Sequence, residues 1–223
     1  MNKLILIAAI ALSINSNAQK IRLDSNKLEA VKVFMATGRL MGNEAVRVIK
    51  DSSVKKADEP TFVKIKGINF KNGTIEVKVL SRLLKDAPDY ARGFIGVAFR
   101  ISDSNTKFEC IYIRPVNARV EDHQVRRNHS IQYYSYPDYK FDTLRKIAPE
   151  KYESYADMEM NKWITMRIEV KEAQAKLYLN NNTQPSLIVN DLKHGADLSG
   201  GIGFWVETGT EGYFSDLRIT EKN

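Results

Sequence analysis

Short-range alternation constrains this chain most. Thr74 to Leu80, Trp163 to Lys171 and Gln174 to Asn180 each switch between apolar and polar residues with a period of two. A period of two puts alternate side chains on opposite faces, so each run reads as a strand with one oily face and one wet face. Ala30 to Phe34, Glu44 to Ile49, Thr61 to Ile65, Ser130 to Tyr136, Leu187 to Asn190, Gly201 to Glu207 and Tyr213 to Thr220 are further strand candidates. Phe94 to Ser102 and Lys107 to Arg114 form a hairpin around the turn Asp103 to Thr106, and Asn72-Gly73 marks another turn. Asp51 to Pro60 is a charged loop, and Ser81 to Arg92 is a polar crossing loop. A helix is expected only around Thr143 to Tyr155, interrupted by Pro149. About ten to thirteen short strands with so little helix exclude a βαβ architecture. The expected fold is all-β, a sandwich or a barrel. A long, partly helical excursion is expected around residues 115–160.

The first eighteen residues stand apart. Lys3 precedes an unbroken apolar run, Leu4 to Leu12, and Ser13 to Ala18 is polar with small residues at Ser16 and Ala18. This is the pattern of a secretory signal peptide with cleavage near Ala18. The run is too short to span a bilayer, and no cysteine follows it to carry a lipid, so no stable membrane anchor is expected. A secreted or periplasmic chain of residues 19–223 then forms a single domain, expected to be a monomer. Cys110 is the only cysteine, so core packing rather than a disulfide must stabilise the fold. Its apolar neighbours make it a small buried hydrophobe and not a nucleophile. The net charge of +7 favours anionic partners, but the basic residues are scattered, which speaks against nucleic acid. No cofactor motif is present. His123, His129 and His194 lack metal-site spacing, and the Asp103-x-Asn105 pair reads as a hairpin turn, so no metal is expected.

The closing half carries a resemblance. Trp163, Arg167 to Val170, Ala175 to Asn180, Gly201 to Trp205 and Gly212 to Ile219 follow the order of motifs in concanavalin A-like/laminin G-like jelly rolls. Phe99-Arg100 and Tyr112 to Pro115 with Asn117 fit the same group. The chain is also similar to the bacterial 3-keto-disaccharide hydrolase group. The resemblance covers most of Phe70 to Thr220 and implies an all-β, two-sheet antiparallel β-sandwich (jelly roll). It speaks for fold more than for chemistry, because such folds serve lectins, structural modules and glycosidases alike.

Alternation also sorts candidate site residues. Arg100, Tyr112, Arg114, Gln132, Tyr134, Trp205 and Glu207 are expected on one concave sheet face. Aromatic rings there would stack on sugars, while Arg and Gln would bond hydroxyls or an acidic sugar's carboxylate. Asn117 and Arg127 join this set from the excursion, where Arg126, Arg127 and His129 suit an anionic group. The same residues also read as core filling (Tyr112, Trp205) and as surface ion pairs (Arg100, Arg114). The retaining-glucanase pattern of three spaced acids on one strand is absent, which weighs against that hydrolase chemistry. Glu207 and His129 remain as catalytic candidates. The expected function is an exported carbohydrate-binding jelly roll, its glycan neutral or anionic. The alternatives are a sugar-active hydrolase or lyase of the keto-disaccharide type and a structural or protein-interaction sandwich.

Overall fold

The computed structural model describes residues 18–222. Residues 1–17 of the expected leader lie outside the described residues. In chain order the first strands are β1 (Gln19–Lys20), β2 (Leu28–Val31), β3 (Val33–Leu40), β4 (Asn43–Lys50), β5 (Phe62–Phe70), β6 (Gly73–Leu83), β7 (Ile95–Ile101) and β8 (Phe108–Ile113). The excursion follows, with α1 (Pro115–Ala118), α2 (Gln124–Asn128), β9 (Ile131–Tyr136), α3 (Phe141–Ile147) and β10 (Glu153–Ser154). The chain closes through β11 (Ile164–Lys171), β12 (Gln174–Leu179), β13 (Leu187–Val189), β14 (Gly200–Val206) and β15 (Thr210–Glu221).

Two antiparallel sheets form a sandwich, as the resemblance implies. One runs β13-β12-β11-β6-β15-β4-β3, with β1 added beside β15, and the other runs β10-β9-β8-β7-β14-β5-β2. Phe214 of β15 and Phe204 of β14 stack between the sheets with ring centroids 4.5 Å apart. In antiparallel pairs, residues directly opposite share a face. Phe204 lies opposite Val97, and Val97 opposite Ile111, so these side chains all point at the other sheet. Burying each large apolar side chain there stabilises the fold by roughly 1.5–3 kcal/mol.

Two local differences from the sequence reading have physical causes. Ala30 to Phe34 is not one strand. Lys32 takes a positive φ of 51°, and the chain passes from the seven-stranded sheet (β2) to the other (β3) at that point. The helix expected around 143–155 stops at Ile147, because the residue before Pro149 is sterically kept from helical geometry. The Asn72-Gly73 turn stands as expected. A Cβ at Gly73 would lie 2.0 Å from the Thr220 carbonyl oxygen, so no other residue fits there. Among the described residues no helix is long and apolar enough to cross a membrane.

Candidate functional site

The seven-stranded sheet has an outward face, opposite the sandwich core. Trp205 lies across from Gly96, Gly96 from Tyr112, and Tyr112 from Gln132. Tyr134 lies across from Cys110 on the same face. The four predicted residues Tyr112, Gln132, Tyr134 and Trp205 therefore do share one surface. Gly96 is what lets them close up. A Cβ there would sit 2.5 Å from that of Tyr112, and its absence lets the Tyr112 and Trp205 rings approach to 4.7 Å.

That surface is covered. Every residue of β7, β8 and β14 is buried. The loop over residues 51–61 folds across it, and the Trp205 indole donates to the Glu59 carbonyl at 3.0 Å. The excursion packs alongside, where Lys140 donates to the Ala57 carbonyl at 3.1 Å and the Phe141 amide to the Asp58 carboxylate at 2.8 Å. What remains open is a pocket of about 500 Å³. Phe94, Tyr112 and Phe141 supply its apolar wall, and Arg114, Asn117 and His129 its polar wall. Exposed Tyr90 and Val125 stand among its lining residues.

Arg114 organises the polar wall. Its guanidinium donates to the Tyr112 hydroxyl (2.6 Å), the His129 carbonyl (2.9 Å), a Glu153 carboxylate oxygen (3.1 Å) and the Gln132 amide oxygen (3.2 Å). Arg145 donates to Glu153 as well, at 2.8 Å. Burial pushes the Glu153 carboxyl up, but Arg145 and Arg114 outweigh it and hold it below its usual range. Burial, assisted by Arg145 and Arg114, lowers the His129 imidazole against the pull of Glu153, so His129 is mostly neutral at pH 7.

The facing wall holds two acids. Glu207 pairs with Lys50 and accepts the Asp58 amide at 3.0 Å and the Thr208 amide at 2.7 Å. Asp58 is fully enclosed. Burial drives its carboxyl up to about 7, and neighbouring Glu207 adds to this against the Phe141 amide, Arg114 and Lys140.

The predicted residues sort into three groups. Tyr112, Arg114, Asn117, His129 and Glu207 line the pocket. Gln132, Tyr134 and Trp205 lie on the right face but are fully buried, as support. Gln132 bonds Arg114 from behind, and Tyr134 packs edge-on to Tyr112. Arg100 and Arg127 are elsewhere. Arg100 sits in a β-bulge, with φ of 54° and a register shift against β14, so strict alternation fails there. Its buried guanidinium ties loops at a sandwich end by donating to the carbonyls of Lys71 (2.9 Å), Gly195 (2.9 Å) and Glu172 (2.7 Å). Arg127 stacks on Tyr155 and bonds its hydroxyl at 3.0 Å. Asn105, in the turn that resembles a calcium pair, accepts from Lys64 at 3.0 Å.

Sequence reasoning missed Asp58, Arg92, Phe94 and Arg145. Asp58 and Arg92 lie in loops without a periodic signal, Phe94 stands at the start of an alternating run and Arg145 on the short helix α3, where nothing local marks them, and only the folded-over loop at 51–61 brings Asp58 to the sheet. A second groove of about 810 Å³ lies between the N-terminal strand and the β3–β4 hairpin. Its charges pair among themselves, Lys20 with Asp216 at 3.2 Å and Arg39 with Glu44 at 4.0 Å. This self-neutralisation leaves the first pocket as the better candidate.

No family model and no curated protein matches the chain. Solved structures share its fold at low identity. The CBM66 carbohydrate-binding module from Bacillus subtilis is 10% identical with a TM-score of 0.54, over 86% of this chain and 97% of that one. A protein of unknown function with a galectin-like fold, also from Bacillus subtilis, is 8% identical with a TM-score of 0.54, over 88% and 90%. A native glycosidic hydrolase is 10% identical with a TM-score of 0.50, over 95% and 99%. These likenesses establish the jelly-roll sandwich. The similarity to the 3-keto-disaccharide hydrolase group rests on the sequence pattern alone.

Proposed function

We propose that this chain is an exported, single-domain glycan-binding jelly roll whose ligand enters the pocket beside Tyr112 and Arg114. The pocket itself carries the reading. It joins an aromatic wall, suited to the apolar face of a pyranose ring, to a rigid polar wall of Arg114, Asn117 and His129. Arg114 is preorganised by its four bonds, so little ordering remains to be done on binding. The fold shared with a carbohydrate-binding module is consistent with this role. The test is a glycan array with the mature chain. Tyr90 is 62% exposed, so Tyr90→Ala is expected to leave thermal stability unchanged while weakening the best binder by about tenfold, the loss of one stacking partner. Unchanged affinity would move the ligand away from this pocket mouth.

A second reading is a sugar-active hydrolase or lyase. Asp58, a carboxyl titrating near 7 in the same pocket as the neutral imidazole of His129, favours it. Incubation of array binders with the protein, followed by product analysis, separates the two. New reducing ends or unsaturated products that vanish in Asp58→Asn would establish turnover.

A further inference from the structure

We propose that the pocket selects an acidic glycan, with Arg92 and Arg126 together receiving a carboxylate or sulfate group on the sugar. This deepens the glycan reading and rests on it. Arg92, Arg114 and Arg126 all line the pocket, and Lys55 and Arg145 line it too. Arg114 and Arg145 are matched by Glu153. Arg92 and Arg126 are not matched. Among the described residues neither has a carboxylate within ion-pair distance. Arg92 is held only by the backbone, through Asp89 and Ala91. Arg126 donates its Nε to the Asn117 amide oxygen at 3.0 Å and thereby has its guanidinium fixed in place.

The acids of the pocket do not relieve this. Glu207 is engaged by Lys50, and the Asp58 amide and hydroxyl-bearing Thr208 take its remaining bonds. Asp58 holds a proton much of the time at neutral pH. Burial lowers the Arg92 guanidinium, the charges of Arg126 and Arg114 lower it further, and exposed Asp89 offsets this only in part, which places these three cations within each other's field. Like charges that no ion pair balances cost stability, and a fold keeps them where a ligand supplies the missing charge. Two planar guanidinium forks suit the oxygens of a carboxylate or a sulfate. Exposed Tyr90 and Val125 lie in the same lining and would meet the sugar ring beside that group.

The experiment uses the mature chain on matched polysaccharides. These are dextran against dextran sulfate, fully methyl-esterified polygalacturonate against polygalacturonate, and xylan with and without glucuronic acid. Binding is expected to the charged member of a pair, at least about tenfold over the neutral one, and to weaken as salt rises from about 50 to about 300 mM. Arg92→Gln and Arg126→Gln are each expected to lower that affinity by about tenfold, with the thermal unfolding temperature unchanged or raised because each removes one of the mutually repelling charges. Preference for polygalacturonate or for dextran sulfate would name the group as carboxylate or sulfate, and either supports the proposal. Equal or tighter binding of the neutral members overturns the acidic-ligand proposal and leaves the glycan reading standing. Charged binding that survives in the double variant also overturns it, by assigning the attraction to the general basic surface. Absence of binding to every polysaccharide overturns both.

Discussion

Asp58 has a positive φ of 51° and is buried directly after three exposed residues, Lys55 to Ala57. Its carboxyl is raised to about 7 in the folded chain, while an unfolded Asp titrates at about 3.9. Folding therefore favours the protonated form. The stability this group contributes is present at low pH and is lost as pH rises from about 4 through about 7, by on the order of a few kcal/mol. His129 acts with the opposite sign. Its lowered imidazole costs stability as pH falls through about 6.5. The difference between wild type and Asp58→Asn isolates the carboxyl. The amide keeps an oxygen for the Phe141 amide, so the variant is expected to gain on wild type from pH 5 to about pH 7 and to level off towards pH 8. Thermal unfolding across that range checks this, and parallel curves would show that Asp58 is ionised throughout. Buried Trp205 belongs to the same scale. It packs against Tyr112 beneath the pocket, and its removal would open a core cavity rather than trim an exposed surface.

At the scale of elements, the loop over residues 51–61 makes a flat sheet face into a pocket. It is tied down at both ends of the contact. Lys50, at the end of β4, and Glu207, just after β14, form a buried ion pair. Glu207 also holds the Asp58 amide, and Asp58 in turn holds the start of α3. Two carboxylates in series, Glu207 and Asp58, thus link a strand, the covering loop and the excursion. Removing one member of a buried pair leaves the other uncompensated, at a cost of about 3–5 kcal/mol, whereas removing both costs much less. Lys50→Met is expected to show that loss in denaturant unfolding, and Lys50→Met with Glu207→Gln to recover most of it. Additive losses would mean that the pair does not act as a latch.

Across the whole molecule, the jelly roll has no disulfide among the described residues, and its stability rests on two sheets packed around one core. Cys110 lies in the middle of β8, fully buried, with its thiol pushed up by burial and by nearby Asp58. A thiol reagent should reach it only when the central sheet opens. Its labelling rate is expected to track global unfolding, with the same denaturant dependence. Fast labelling in native buffer would show that the seven-stranded sheet opens locally, and would place the outward face within reach of solvent without a ligand.

Most of the strands and most of their faces were legible in the chain itself, because a period of two is a local property that the backbone enforces residue by residue, whereas most of β3 and the two-residue strands β1 and β10 were not. Tyr112, Gln132, Tyr134 and Trp205 fell on one face for that reason. Arg100 did not, because a bulge adds a residue on one strand only, and pairing with the neighbour decides where it falls. Depth was also beyond the alternation. A second oily face reads the same whether solvent or a loop covers it, so the burial of Trp205 and Tyr134 came only with the folded loop. Asp58, Arg92 and Arg126 meet through segments far apart in the chain. Their charges acquire meaning from who stands opposite, and only the tertiary structure brings those partners together.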